Sequence, residues 1–195
     1  RKIMQVQTLT ALNLNYTGQS KKAIEILSGV TSLDKTSLRI APLHLALAIF
    51  LFQQGDMKKA KALLSKYIRS DSFYEKHIDR EWTLNKLYLE VIIAIEEGNI
   101  DLAESRMNSL TRRYGAYFKS LEKAPLLPFL KLVRWYCRHP ELVTSEAFIL
   151  KVDKAIHWKP SEQEDLFLMT VFAWLKAKMT KRSVYETTLE LVNMK

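Results

Sequence analysis

Few residues in this chain can punctuate or staple it. Of 195 residues one is cysteine, Cys137, which excludes an internal disulfide framework and fits a reducing compartment, so a cytoplasmic location is expected. Glycine and proline number five each. Breakers this sparse, among plentiful Leu, Lys, Ala and Glu, predict long helices joined by short turns. Five scattered glycines build no phosphate-cradling loop. The four histidines (His44, His77, His139, His157) form no H-x-x-x-H pair, and Cys137 has no cysteine partner, so neither a metal nor another cofactor is expected. Cys137 and His139 read as a buried thiol and a helix-end imidazole rather than a reactive pair. The carboxylates Glu96-Glu97 and Glu162/Glu164/Asp165 carry no acid–base assignment, and the second group suits a helix N-terminus. The longest apolar run, Leu45 to Phe52, is far below the roughly 18 residues of a membrane helix. It reads as a helix buried on all sides. No signal-peptide pattern is visible, and the chain begins Arg1-Lys2-Ile3 without methionine, as expected of a fragment or a processed form.

What is present is a recurring arrangement: "GQSKKA" at Gly18, "GDMKKA" at Gly55 and "GNIDLA" at Gly98. Each glycine separates two segments of helical periodicity. Glycine suits the left-handed residue that ends a helix. Asp56 and Asn99 then stand where an N-cap accepts the first free amides of the next helix. Gln19 is a poorer cap, and Ser20 is the better candidate for that role. Alanines 23, 60 and 103 fall one turn into the second helix, where a methyl permits close helix approach. The glycines are 37 and 43 residues apart, a spacing typical of stacked helical hairpins.

"LALAIFLFQQGDMKKAKALL" and "LEVIIAIEEGNIDLAESRM" resemble tetratricopeptide repeats. The resemblance covers about Gln5 to Tyr114, and Glu81 to Arg113 is also similar to bacterial repeat proteins of unassigned function. The period exceeds the usual ~34 residues, and the family's leading aromatic and closing proline are missing. The expected fold is an all-α solenoid of nine or ten helices in one domain, with tetratricopeptide-like hairpins over 1–115 and divergent helices over 116–195. Helices are predicted at about 2–17, 20–29, 41–54, 57–69, 79–97 and 100–114, with a short turn of helix at 73–77. Pro125 and Pro128 bound a further helix ending before Pro140. One at about 145–156 follows. Capping boxes at Ser161/Glu164 and Ser183/Glu186 open the last two. Trp82, Trp135, Trp158 and Trp174 are read as core, Trp158 being the least regular because it lies at an apparent turn.

The missing chemical motifs make the chain non-catalytic, and the short apolar run predicts no membrane association. The resemblance implies a scaffold for a protein partner. Its ligand-facing positions fall on Thr8, Leu12, Asn15 and Tyr16, on Leu45, Ile49, Phe52 and Gln53, and on Tyr88, Ile92, Ile95 and Glu96. The second and third sets are strongly apolar. Either this groove takes a hydrophobic partner helix, or the C-terminal helices fill it, which is the expectation here. The alternative is a basic surface. The net charge is +9, and from Ser105 to Pro140 eight bases face one acid, a surplus of +7 that leaves +2 for the rest of the chain. Arg106, Arg112, Arg113, Lys131, Arg134 and Arg138 would form one patch if their two helices are neighbours. Arg112-Arg113 before "YGAYF" interleaves bases with aromatics, a mix that suits nucleic acid. An acidic protein partner would use the same residues.

Overall fold

In the computed structural model, residues 2–32, 38–120, 126–156 and 166–193 are described (side chains of 2–4 and 126 excepted), and among them every regular element is helical. Eleven α-helices are described: α1 Lys2–Tyr16, α2 Ser20–Ser32, α3 Ala41–Gln53, α4 Met57–Leu64, α5 Asp71–His77, α6 Arg80–Glu96, α7 Ile100–Ser120, α8 Leu126–Arg138, α9 Glu146–Ala155, α10 Leu166–Thr180 and α11 Val184–Asn193. This is one or two more than the sequence suggests. Neighbours pack in pairs: α1 with α2, α3 with α4, α6 with α7, and α10 with α11. None is long and apolar enough to cross a membrane among the described residues.

The Gly55 and Gly98 turns share one hydrogen-bond pattern, and the Gly18 turn keeps its longer bond, Gln19 N to Leu14 O at 2.8 Å. Asp56 N donates to Leu51 O at 2.9 Å and Gly55 N to Phe52 O at 2.9 Å; Asn99 N donates to Ala94 O and Gly98 N to Ile95 O, both at 2.9 Å. This paired 6→1 and 5→2 closure needs a left-handed residue at its corner. Gly55 has φ +80° and Gly98 φ +74°. The residue after each glycine also starts the next helix. Asp56 Oδ1 accepts from Lys59 N at 3.1 Å, and Asn99 Oδ1 from Leu102 N at 3.2 Å. At the first turn, Gln19 O accepts from Ala23 N and Ser20 is the first helical residue. Ser20 therefore does not cap α2, contrary to the sequence reading. Ala23, Ala60 and Ala103 are all fully buried. No room remains for a larger side chain, so Ala60→Leu should lower stability by ~1–3 kcal/mol through overpacking, measured as an earlier urea midpoint at unchanged slope. An unchanged midpoint would show that α3 and α4 do not pack through this methyl.

Two boundaries differ most from expectation. α4 stops at Leu64 rather than Arg69, because Tyr67 leaves the helix to enter a ring cluster. Its centroid lies 4.9 Å from Trp82, 5.7 Å from Tyr74 and 5.9 Å from His44. Arg69 N then donates to Tyr74 Oη at 3.0 Å, and α5 begins with Ser70 Oγ accepting from Phe73 N. α7 runs past Tyr114 to Ser120, because Tyr114 and Phe118 extend the buried stripe of Ala103, Met107 and Leu110. That burial outweighs the modest cost of Gly115 inside a helix. At the far end, the Ser183/Glu186 box closes reciprocally: Glu186 N donates to Ser183 Oγ, and Ser183 N to Glu186 Oε2. Pro125 and the Ser161/Glu164 box lie outside the described residues.

The helical pair α10–α11 lies on the first helices of the earlier pairs: α10 packs on α3 and α6, and α11 on α1 and α3. α10, apolar around most of its circumference, is buried at Phe167, Met169, Val171, Ala173, Trp174 and Leu175. A helix without a polar face needs neighbours on every side, and the inner faces of α3 and α6 supply them.

Candidate functional site

The inner groove is occupied by the chain itself. Leu45, Ile49, Phe52, Tyr88, Ile92 and Ile95 are all buried, and α10 packs on both helices that carry them. Phe129 of α8 contacts both sides of this contact zone, with ring centroids 6.3 Å from Tyr88 and 6.3 Å from Trp174. The polar candidates in the groove hold the filling in register. Asn15 Nδ2 donates to Gln53 Oε1 at 2.8 Å, and Gln53 Nε2 to Thr170 Oγ1 at 2.9 Å. Trp174 Nε1 donates to Glu96 Oε1 at 2.8 Å, and Lys178 Nζ lies 2.7 Å from the same carboxylate. Thr170, Trp174 and Lys178 are successive turns of one α10 face. Tyr16 is half-buried with its ring edge-on to Phe50. Tyr16, Phe52, Gln53, Tyr88 and Glu96 are thus internal packing residues, and the choice left open by the sequence falls to intramolecular filling.

The six cations do not form one patch, although α7 and α8 are neighbours. Arg106 and Arg113, two turns apart, lie on the α7 flank facing α5 and α6. Arg106 pairs with Glu90. Arg113 reaches Glu75 at 2.8 Å, Ser72 at 2.8 Å and Asp71 at 3.3 Å. On the other flank Arg134 donates to Asn108 and Thr111, and Arg138 lies 3.7 Å from Glu104. Arg112 and Lys131 are exposed, with no carboxylate partner among the described residues. Lys123 lies outside them. Helical phase separates the α7 cations: Arg112, six positions from Arg106 and one from Arg113, lies about 100–120° round the helix from the flank those two share.

Between the α4–α5 connection, α6 and α7 lies a cleft of about 470 Å³. Arg69, Lys86, Arg106, Arg112 and Arg113 line it, against two carboxylates, Asp71 and Glu90. Glu90 is clamped between Lys86 Nζ at 2.6 Å and Arg106 on its other oxygen. Lys86 is 7% exposed along its side chain, a burial that a lysine tolerates only when paired. The sequence reading missed Arg69, Lys86 and Glu90. A lysine and glutamate four apart within the apolar α6 was the available signal; Arg69 carried none.

A second cleft, of about 480 Å³, lies between α2, α3 and α4, with His44 in its wall. His44 Nδ1 is 2.7 Å from Tyr67 Oη. Burial, then the charge of Lys66, lowers its pKa below the ordinary 6.5. Unfolding therefore takes up a proton in mildly acid solution. The stability that the neutral ring contributes is complete above about pH 6.5 and is lost as pH falls through the depressed folded value. The urea midpoint should fall more steeply from pH 7 to pH 5 in the wild type than in His44→Gln; equal slopes would remove His44 as the cause.

Cys137 is half-buried, and burial, with Glu104 nearby, pushes its thiol up to about 11. His139 is turned to the Trp135 ring, 5.4 Å away. Trp82 and Trp174 are buried, and Trp135 stacks on Phe148 at 4.7 Å. His157 and Trp158 lie outside the described residues. Glu97 pairs with Lys61 at 2.6 Å. Among the described residues, no three His, Cys, Asp or Glu side chains cluster closely enough to hold a metal ion. Comparison with known proteins found no family model, curated protein or solved structure that matches the chain.

Proposed function

We propose that this chain is a non-catalytic protein-interaction scaffold, a tetratricopeptide-like array in which 2–193 act as one domain. It engages an acidic segment of a protein partner through the cleft of α6, α7 and the α4–α5 connection. The repeated glycine closure followed by a fully buried alanine supports the array. One observation carries the binding mode: five cations face two carboxylates in a single concavity. The inner groove, where such arrays usually receive peptides, is taken by α10, so the outer flank is the accessible concave surface. The division of the basic segment between two flanks disfavours a phosphate backbone, which needs a continuous track of cations.

The test is a fluorescence titration with a polyglutamate peptide and with random single-stranded RNA, at 50 and 200 mM salt. We expect saturable 1:1 peptide binding that Arg112→Glu abolishes. RNA binding that falls roughly 10³–10⁵-fold between those salt concentrations, without peptide binding, would replace this reading with a nucleic-acid one. Binding of neither removes the cleft as the partner site.

A further inference from the structure

We propose that the cleft is built for a phosphate monoester dianion, carried on a side chain of the partner segment; the proposal rests on the scaffold reading above and specifies its ligand. Most acceptors in the cleft are already taken. Both carboxylates are engaged, Glu90 by Lys86 and Arg106, and Asp71 by Arg113. Tyr67 Oη is held by His44, and Tyr114 Oη donates to Glu75 at 2.5 Å. What remains is a set of donors. Arg69, whose guanidinium lies over the Phe73 ring, and Arg112 both line the cleft and have no carboxylate partner among the described residues. Ser105 and Ser109, one α7 turn apart, are exposed to the cleft with side chains that make no hydrogen bond among the described residues.

Exposed cations and hydroxyls gathered in one concavity suit a ligand that brings acceptors and negative charge together. A carboxylate offers two oxygens and one charge. A phosphate monoester offers three terminal oxygens and close to two charges at neutral pH, and so has acceptors enough for two arginines and the hydroxyls that line the same cleft. The two cleft arginines without a carboxylate partner, Arg69 and Arg112, match the two charges of such an anion. Its volume also admits the residue that carries the phosphate.

The test compares short alanine-based peptides, identical but for one central residue: phosphoserine, glutamate or serine. Inorganic phosphate and free phosphoserine complete the set, and binding is read by calorimetry on the whole chain. The phosphoserine peptide should bind about 10-fold or more tightly than the glutamate peptide, the factor expected for added charge-assisted hydrogen bonds. Arg69→Gln and Arg112→Gln should each erase that preference. Both residues are exposed, so an unchanged melting temperature verifies the fold of each variant. Lys58→Gln, on exposed α4 surface away from the cleft, should leave the preference intact. Equal affinity for the phosphoserine and glutamate peptides overturns the phosphate assignment while leaving the acidic-partner scaffold standing. Free phosphoserine binding as tightly as its peptide overturns the assignment to a partner protein. No binding by any peptide sinks both readings.

Discussion

Trp174→Ala should lower the free energy of unfolding by ~3–5 kcal/mol, the largest effect expected of any single truncation in α10. The indole is fully buried, with edge contacts to Phe129 at 6.3 Å and Tyr136 at 5.8 Å. Its Nε1 donates to Glu96, a carboxylate only 19% exposed along its side chain. Truncation opens a cavity between α6, α8 and α10, and it removes one of two donors from a shielded anion. Trp174→Phe separates the two losses. It keeps most of the apolar volume and should cost about 1–3 kcal/mol, mainly for the unmet hydrogen bond. Urea titration followed by far-ultraviolet circular dichroism reads both. A Trp174→Ala midpoint equal to that of the wild type would mean that α10 does not fill the groove.

The second large effect is expected at Glu90. Removing this carboxylate leaves the Lys86 ammonium, 7% exposed, without a counter-ion. Glu90→Ala should therefore cost ~3–5 kcal/mol, the usual consequence of orphaning one member of a buried pair. Arg106, 34% exposed, can turn toward water and adds little. Replacing both partners, as Lys86→Met with Glu90→Leu, removes the desolvated charges together and should restore most of the loss. Equilibrium unfolding of the two single variants and the double variant forms a cycle that isolates the pair. A Glu90→Ala penalty below ~1 kcal/mol is the value of a surface ion pair, and it would show that the clamp is solvated.

Together these two positions show how the molecule partitions its surfaces. The inner face, where the glycine-turn repeats present Gln53 and Glu96 two residues before their glycines, is closed by polar contacts to Thr170, Trp174 and Lys178. The outer flank keeps cations that no internal carboxylate neutralises. An acidic or phosphorylated segment has the charge complementary to that flank.

The sequence by itself determined the local units. A glycine, a capping Asp or Asn and an alanine five residues on are short-range signals. Backbone sterics at φ near +80° and hydrogen bonding within one turn act wherever the unit is placed. The turns at Gly18, Gly55 and Gly98 were therefore legible. So was the all-helical class, because apolar spacing and sparse breakers act along one segment. α4 ended early because Tyr67 packs against Tyr74 and Trp82, and a contact of that kind outweighs helix propensity. Only the tertiary structure decided what covers the groove and which charges survive. Gln53 meets Thr170 across 117 positions, and Glu96 meets Trp174 across 78. Arg113 finds its acids 42 and 38 positions back, and Arg106 finds Glu90 16 back. A run of bases in sequence has a charge count but no direction. Helix packing sets which carboxylate each cation meets, and with it which arginines remain free to bind.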